Sequence, residues 1–507
     1  MCAVASLAMV TGCREHFGQT TDSCSDLTAL PLIDLFISSS QSVSASGDVP
    51  AHCQVEGVIE TEIQFELLLP EPSEWNGRFL MGGGGGFVGT VQNQARTLYA
   101  HGGMPLQRGY ATVGTDTGHL GGGIEASWAL NNPTRQMNWG HRAVHLTAEA
   151  AKSIISEYYG RVADYSYFVG CSRGGGQAMM ESQRYPDDFD GIVAAAPAYN
   201  WTAFTAGFLQ AQQAIFPNGG SGDPVVREET LGLLGSSILS ACDAEDGVTD
   251  GVMTDPRRCS FSPSDLLICT DDVEGDGCVT RRELAAIEAV YNGPTVNGES
   301  IFFGFNYGGE SDRGGWDSWV VSSERQRARG NPNAQYGFGT EFYKYFVFGD
   351  PAWDYTTYDF STWQEDVAHI SPVVDATETD LSVFRDRGGK IIYWTGWSDL
   401  ALTPLGTIDY YEQLEVSDSA SRDYARLYML PGVLHCSGGP GPDQVDWVEA
   451  IRTWVENGDA PERLIASKLD SSGQTTMTRP VCPYPEFAVY DGTGDPSVDS
   501  SFSCSVR

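Results

Sequence analysis

Short apolar runs separated by longer amphipathic stretches dominate the chain. Runs rich in Val, Ile, Leu and aromatic residues, too short for helices, read as strands at 55–69, 78–81, 110–114, 165–169, 191–195, 390–394 and 426–430. Between several of them, apolar residues recur at helical spacing, most clearly over 141–159 ahead of the 165–169 run, and again over 406–414 and 444–454. Strand alternating with helix predicts an α/β fold built on a mostly parallel sheet. The alternation disappears between about 199 and 370, where Gly, Asn, Asp, aromatic residues and four cysteines take over. That pattern predicts a large lid inserted between two sheet strands, with 20–198 and 371–507 forming the main domain.

Composition narrows the picture. With 507 residues, 41% apolar content, 59 Gly and 25 Pro, the chain is globular, and disorder, collagen and coiled coil are excluded. Acidic residues number 67 and basic residues 30, a formal charge of −37. Such a surface repels phosphate backbones, so nucleic acid is not an expected partner, and it suits solubility in a saline habitat. No run approaches the roughly 18–20 apolar residues that span a bilayer. Residues 1–19 read as an export segment or the remnant of a signal peptide. Val10-Thr11-Gly12-Cys13 resembles a bacterial lipoprotein cleavage box that would lipidate Cys13, and a plain secretory signal with a chance cysteine is the equal alternative. Secreted, periplasmic and outer-membrane lipoprotein locations all follow from these readings. Twelve cysteines without a C-x-x-C pair favour disulfides in an oxidising compartment over zinc or thiol redox chemistry.

The chemistry concentrates at Gly170-Cys171-Ser172-Arg173-Gly174, where an apolar strand runs into a helix-compatible stretch. This is the pattern of a nucleophile elbow, whose glycines allow a sharp turn that exposes a serine hydroxyl, with the N–H of Arg173 facing a developing oxyanion. A serine nucleophile needs a base and an acid that orients it. Asp399 lies just past the 390–394 run and His435 just past 426–430, in the chain order Ser, Asp, His. Cys171 precedes the serine and Cys436 follows the histidine. If they are bonded, Cα atoms about 4.4–6.8 Å apart, extended by about 3.8 Å per residue, keep Ser172 and His435 within about 14 Å.

These blocks resemble the tannase and feruloyl esterase family of α/β-hydrolases. The similarity extends over 183–197, 396–399, 407–412 and 431–441, and fragments at 74–79, 384–390 and 479–484 are most similar to the branch that acts on terephthalate monoesters. The resemblance implies a secreted serine carboxylic-ester hydrolase for aryl esters, mono(2-hydroxyethyl) terephthalate included, or alternatively for plant phenolic esters. A catalytically silent binding protein on the same fold is the remote alternative, and the oligomeric state is left open. Ser172, His435 and Asp399 would be nucleophile, base and orienter, with Arg173 and Gly83 N–H groups forming the oxyanion hole. The implied disulfides are Cys24–Cys53, Cys171–Cys436, Cys242–Cys259, Cys269–Cys278 and Cys482–Cys504. A structural calcium (Ca2+) is implied in the lid, held by the side chains of Asp243, Asp246 and Asp250 and the carbonyls of Val248 and Val252. A second acidic loop, 272–283, comes close to an EF-hand pattern, but Cys278 interrupts it and chance explains it better.

Aromatic residues crowd the insertion. The resemblance makes Trp319 and Phe338 the best candidates to contact an aryl acid, with Trp397 and Leu402 added from the triad loop. The terephthalate branch clamps a free carboxylate with a lid arginine, but the aligned position here is Ala334, and Gly339 also departs. Arg325, Arg327 and Arg329 are the nearby candidates to replace it.

Overall fold

The computed structural model describes residues 23–97, 103–322, 324–327, 330 and 332–506. The expected export segment 1–19 and Cys13 lie outside the described residues. Among these residues no helix is long and apolar enough to cross a membrane.

In chain order the first strands are β1 (Leu35–Val43), β2 (His52–Ile59), β3 (Ile63–Pro70), β4 (Arg78–Gly82), β5 (Ala111–Thr115), β6 (Tyr165–Ser172) and β7 (Gly191–Pro197). A two-residue ribbon, β8 (Thr295–Val296) with β9 (Glu299–Ser300), belongs to the insertion, and β10 (Lys390–Gly396) and β11 (Ala425–Leu430) return to the main sheet. The nine-stranded sheet has the order β1-β2-β3-β5-β4-β6-β7-β10-β11. The six strands from β5 to β11 pair in parallel, whereas β1, β2, β3 and their junction with β5 are antiparallel. The apolar run read as one strand over 55–69 is therefore a hairpin, broken at Glu60-Thr61-Glu62, where Glu60 takes φ +54°. So short a connection cannot join parallel strands, which makes the sheet mixed.

The helix Ala143–Tyr159 shows why the alternation forms. Ala143, Val144, Thr147, Ala148, Ala151, Ile154 and Ile155 fall on one face and are buried against the sheet, and Gly160 ends the helix in the left-handed conformation at φ +68°. On the opposite face Trp447–Asn457 packs Trp447, Val448, Ile451 and Trp454 into a second core cluster.

Among the described residues no strand between β7 and β10 joins the main sheet. That stretch contributes the helices Trp201–Ile215, Glu228–Cys242, Arg281–Asn292 and Ala334–Phe342 to two further clusters, one of which it shares with Phe87, Trp128 and Trp139 of the main domain. Its two ends meet where the Ala376 N–H donates to the Tyr199 carbonyl at 2.7 Å. Five disulfides form with the pairing that the resemblance implied. This is the α/β-hydrolase fold with an inserted lid.

Candidate active site

β6 passes into the helix Arg173–Arg184 with no linking residue, so Ser172 takes the turn itself at φ +64°, ψ −122°. A serine in that region of backbone space is strained, and it persists only where its surroundings fix it. Those surroundings are tight: a Cβ on Gly170 would sit 2.4 Å from the Gly174 carbonyl oxygen, and one on Gly175 2.2 Å from that of Ala195. Gln94 clasps the preceding residue, accepting from the Cys171 N–H at 2.8 Å and donating to its carbonyl at 3.1 Å. The N–H of Arg173, first in its helix, has no intrahelical acceptor and is available to an oxyanion.

Asp399 follows β10 and is fully buried. Its Oδ1 accepts the N–H groups of Ala401 and Leu402, each at 2.9 Å, which fixes the carboxylate and leaves Oδ2 to accept from His435 Nδ1 at 2.9 Å. With Nδ1 so engaged, Nε2 is the nitrogen free to take a proton. Ser172 and His435 line one cleft. The Cys171–Cys436 bridge brings the neighbouring Cα atoms to 6.0 Å across a sequence separation of 265 residues.

The cleft walls are apolar: Trp201, Phe204, Phe208, Trp319, Phe338 and Leu402. Trp319 stands edge-on to the His435 ring at 5.1 Å and nearly parallel to Phe338 at 6.1 Å. Of the four candidates for substrate contact, Trp319, Phe338 and Leu402 line the cleft and Trp397 does not. It is buried in the core beneath the sheet with the Arg257 guanidinium 4.9 Å from its ring, because the chain turns at 397–399 to send Asp399 toward the site. Trp201, Phe204 and Phe208 escaped sequence reasoning, although their spacing along one helix face was the available signal.

Gly83 does not serve as the expected oxyanion donor, because its N–H donates to the Val169 carbonyl at 2.9 Å and continues the β4–β6 ladder. The N–H groups of Gly84 and Gly85 donate to Gln177 Oε1 and Gln92 Oε1. Gly86 is the member of the glycine run that reaches the cleft, at φ +56°.

None of the described residues lining the cleft is Lys, Arg, Asp or Glu. Arg327 donates instead to the Ser322 carbonyl at 2.8 Å and to Asp223 at 3.3 Å. The Arg325 side chain and Arg329 lie outside the described residues. Ala334 begins a helix whose Gly339 packs against Leu209.

The acidic loop expected to hold calcium is anchored by Cys242–Cys259. Its hard oxygens suit the ion, but they are engaged as they stand. Asp243 Oδ1 accepts the Gly251 N–H at 2.9 Å, Asp246 Oδ2 accepts the Thr254 hydroxyl at 2.7 Å, and Asp250 Oδ2 accepts Arg479 at 2.7 Å. Among the described residues no three carboxylates, imidazoles or thiols are grouped as a metal would require. In the loop 272–283, Glu283 is committed elsewhere. Burial pushes its carboxyl up, but Arg227, the Thr280 N–H and the Thr230 hydroxyl outweigh that and hold it down at about 2.

Comparison with known proteins agrees with this geometry. The family model for tannase and feruloyl esterase matches residues 47–505. The chain is 33% identical to the mono(2-hydroxyethyl) terephthalate hydrolase of Piscinibacter sakaiensis, over 91% of this chain and 86% of that protein. It is 28% identical to feruloyl esterase B of Aspergillus niger, over 91% and 88%. The crystal structure of feruloyl esterase B from Aspergillus oryzae superposes with a TM-score of 0.83 at 25% identity, covering 95% of this chain and all of that one. A serine elbow, a buried Asp–His pair and a match over nearly the whole chain lead to one conclusion: the chain belongs to the tannase and feruloyl esterase family of carboxylic ester hydrolases.

Proposed function

We propose that this protein is an exported serine esterase that cleaves aryl carboxylic esters through an acyl-enzyme, with Ser172, His435 and Asp399 as its triad. The observation that carries the reading is the Asp399–His435 pair sharing a cleft with a strained, elbow-borne Ser172. In the acylation step Ser172 Oγ attacks the ester carbonyl while His435 Nε2 takes the hydroxyl proton. The oxyanion is met by the Arg173 N–H and by the N–H of Gly86, the glycine of the run that lines the cleft. Collapse breaks the C–O bond to the alcohol, which leaves with the proton from His435. Water, deprotonated by the same nitrogen, then releases the aryl acid. Asp399 Oδ2 holds the imidazolium through Nδ1.

The aromatic walls support an aryl acyl group. A second reading, esters of plant phenolic acids, is favoured by the lack of a charged side chain among the described cleft residues, which leaves a free terephthalate carboxylate without a counter-charge. Hydrolysis of mono(2-hydroxyethyl) terephthalate, methyl ferulate and methyl gallate, with Ser172→Ala as control, tests both. Loss of every rate in the variant supports the triad, and the ranking chooses the substrate. Unchanged activity in Ser172→Ala would refute the reading.

Five disulfides support export, and the mass of the mature N-terminus tells lipidation at Cys13 from a plain signal. We also propose that Asp243, Asp246 and Asp250, with the Val248 and Val252 carbonyls, re-aim to bind a structural calcium. Metal analysis after dialysis against calcium, with and without chelator, is the test, and absence of bound calcium would sink it.

A further inference from the structure

The residue after the nucleophile carries a side chain that the steps above do not use. Arg173 is fully buried, and its guanidinium lies in the core, outside the cleft lining. Nη2 donates to the carbonyls of Trp139 and Gly140, both at 2.6 Å, in the π-helical turn Asn138–Arg142. Cζ lies 4.1 Å from the centre of the Trp139 ring and 5.9 Å from that of Trp201, a cleft wall. Nε and Nη1 are buried with no protein partner. Among the described residues no carboxylate lies within ion-pair distance. The nearby acid, Asp375, is itself buried and engaged by the Thr202 N–H, the Thr202 hydroxyl and the Ser371 hydroxyl. Burial pulls the guanidinium down to about 9, which still leaves it a cation at neutral pH.

A buried charge answered only by two carbonyls, a ring face and a remote acid is costly. A core position that needed only to brace the turn would be filled better by a neutral donor or an apolar residue. Unsatisfied buried donors in a native structure call for a reason, and such departures concentrate at functional sites. The geometry supplies one. The same residue offers its backbone N–H to the oxyanion, so the guanidinium sits within one side chain's length of the atom where negative charge develops. In a low-dielectric interior a fixed cation there favours the tetrahedral oxyanion over the neutral ester and needs no reorganisation during the reaction.

We propose that Arg173 is a positioning residue whose buried charge, held by the Trp139–Gly140 turn, lies behind the oxyanion pocket and stabilises the tetrahedral intermediates. The proposal rests on Ser172 as nucleophile, and Ser172→Ala tests that reading separately.

The experiment compares Arg173→Met, which keeps bulk and loses charge, with Arg173→Lys, which keeps charge and loses the fork. Each is checked for folding by circular dichroism. The readouts are kcat and KM on an aryl ester and the affinity of an aryl boronic acid, which accepts the Ser172 oxygen to form a tetrahedral anion. The expected result for Arg173→Met is a fall in kcat of about thirtyfold, KM within threefold of wild type, and boronate affinity falling in step with kcat. Arg173→Lys keeps kcat within about fivefold. The proposal is overturned if Arg173→Met keeps kcat within threefold, or if both variants fall alike, because the role is then a brace. Should the neutral variant fail to fold, Arg173→Lys decides: a loss beyond tenfold at unchanged KM refutes it, since the charge is retained. Full activity in Ser172→Ala would fail the esterase reading whatever Arg173 does.

Discussion

Removing the Cys171–Cys436 bridge by the double change Cys171→Ser and Cys436→Ser tests how the site is held. The bridge spans 265 residues. The chain-entropy relation then puts its removal at about 5.6 kcal/mol at 25 °C, as an upper figure for an unstrained link. The Cys482–Cys504 bridge closes only 22 residues, for which the same relation gives about 3.4 kcal/mol. The two pairs also differ in place. One joins the residue before Ser172 to the residue after His435, and the other ties the 487–490 and 502–505 ribbon. Urea unfolding under non-reducing conditions should therefore show a larger loss for the 171/436 variant by about 2 kcal/mol. Kinetics should separate them more sharply. A displacement of His435 by about 1 Å costs on the order of 100-fold, so kcat should fall about 10- to 100-fold for 171/436 with KM little changed, and stay near wild type for 482/504. Equal kcat in the two double variants would refute the view that the bridge aligns base with nucleophile. Equal stability losses would refute the loop argument.

Other expectations follow from single contacts. Gly86→Ala would place a methyl 2.3 Å from the Gly123 carbonyl oxygen at a residue with φ +56°, so kcat should drop at least about tenfold in steady-state assays. Trp319→Ala removes the ring beside His435 and Phe338 and should raise KM for aryl esters about tenfold, with short aliphatic esters nearly unaffected. The Glu283 carboxyl is held at about 2, below its ordinary value, so its contribution is complete above about pH 4.5 and is lost as pH falls toward 2. Glu283→Gln should therefore be less stable than wild type at pH 7, and the urea midpoints should converge near pH 2. Divergence on acidification would contradict that sign.

The elbow was readable in the sequence because everything that makes it is local: an apolar strand, glycines where a Cβ cannot fit, and a helix directly behind. Asp399 and His435 were readable because each follows a strand of the parallel half at its C-terminal end. The resemblance supplied the disulfide pairing. What escaped is what depends on partners distant in the chain. Gly83 is one of several adjacent glycines, and only the β4–β6 register shows that its N–H is taken by Val169. Gln94, 77 residues before Cys171, has no motif that announces its grip on the elbow. Trp397 and Leu402 are equally apolar, and the turn that exposes Asp399 to His435 sends one into the core and the other to the cleft. The antiparallel edge was hidden for a simpler reason: three polar residues, 60–62, inside a long apolar run look like alternation until they are seen to turn.

Placing the insertion between Ser172 and His435 also sets the order in which the chain's bridges can form. Cys171 leaves the ribosome 265 residues ahead of Cys436, a delay of roughly 13–53 s at ordinary elongation rates of about 5–20 residues per second. Before Cys436 is made, both cysteines of the Cys24–Cys53, Cys242–Cys259 and Cys269–Cys278 bridges are present, while Cys171 is without its partner. Until residue 435 is made, the chain carries Ser172 without the Asp399–His435 pair that the proposed triad needs. The bond that spans the molecule is thus one of the last two of the five to close, together with Cys482–Cys504.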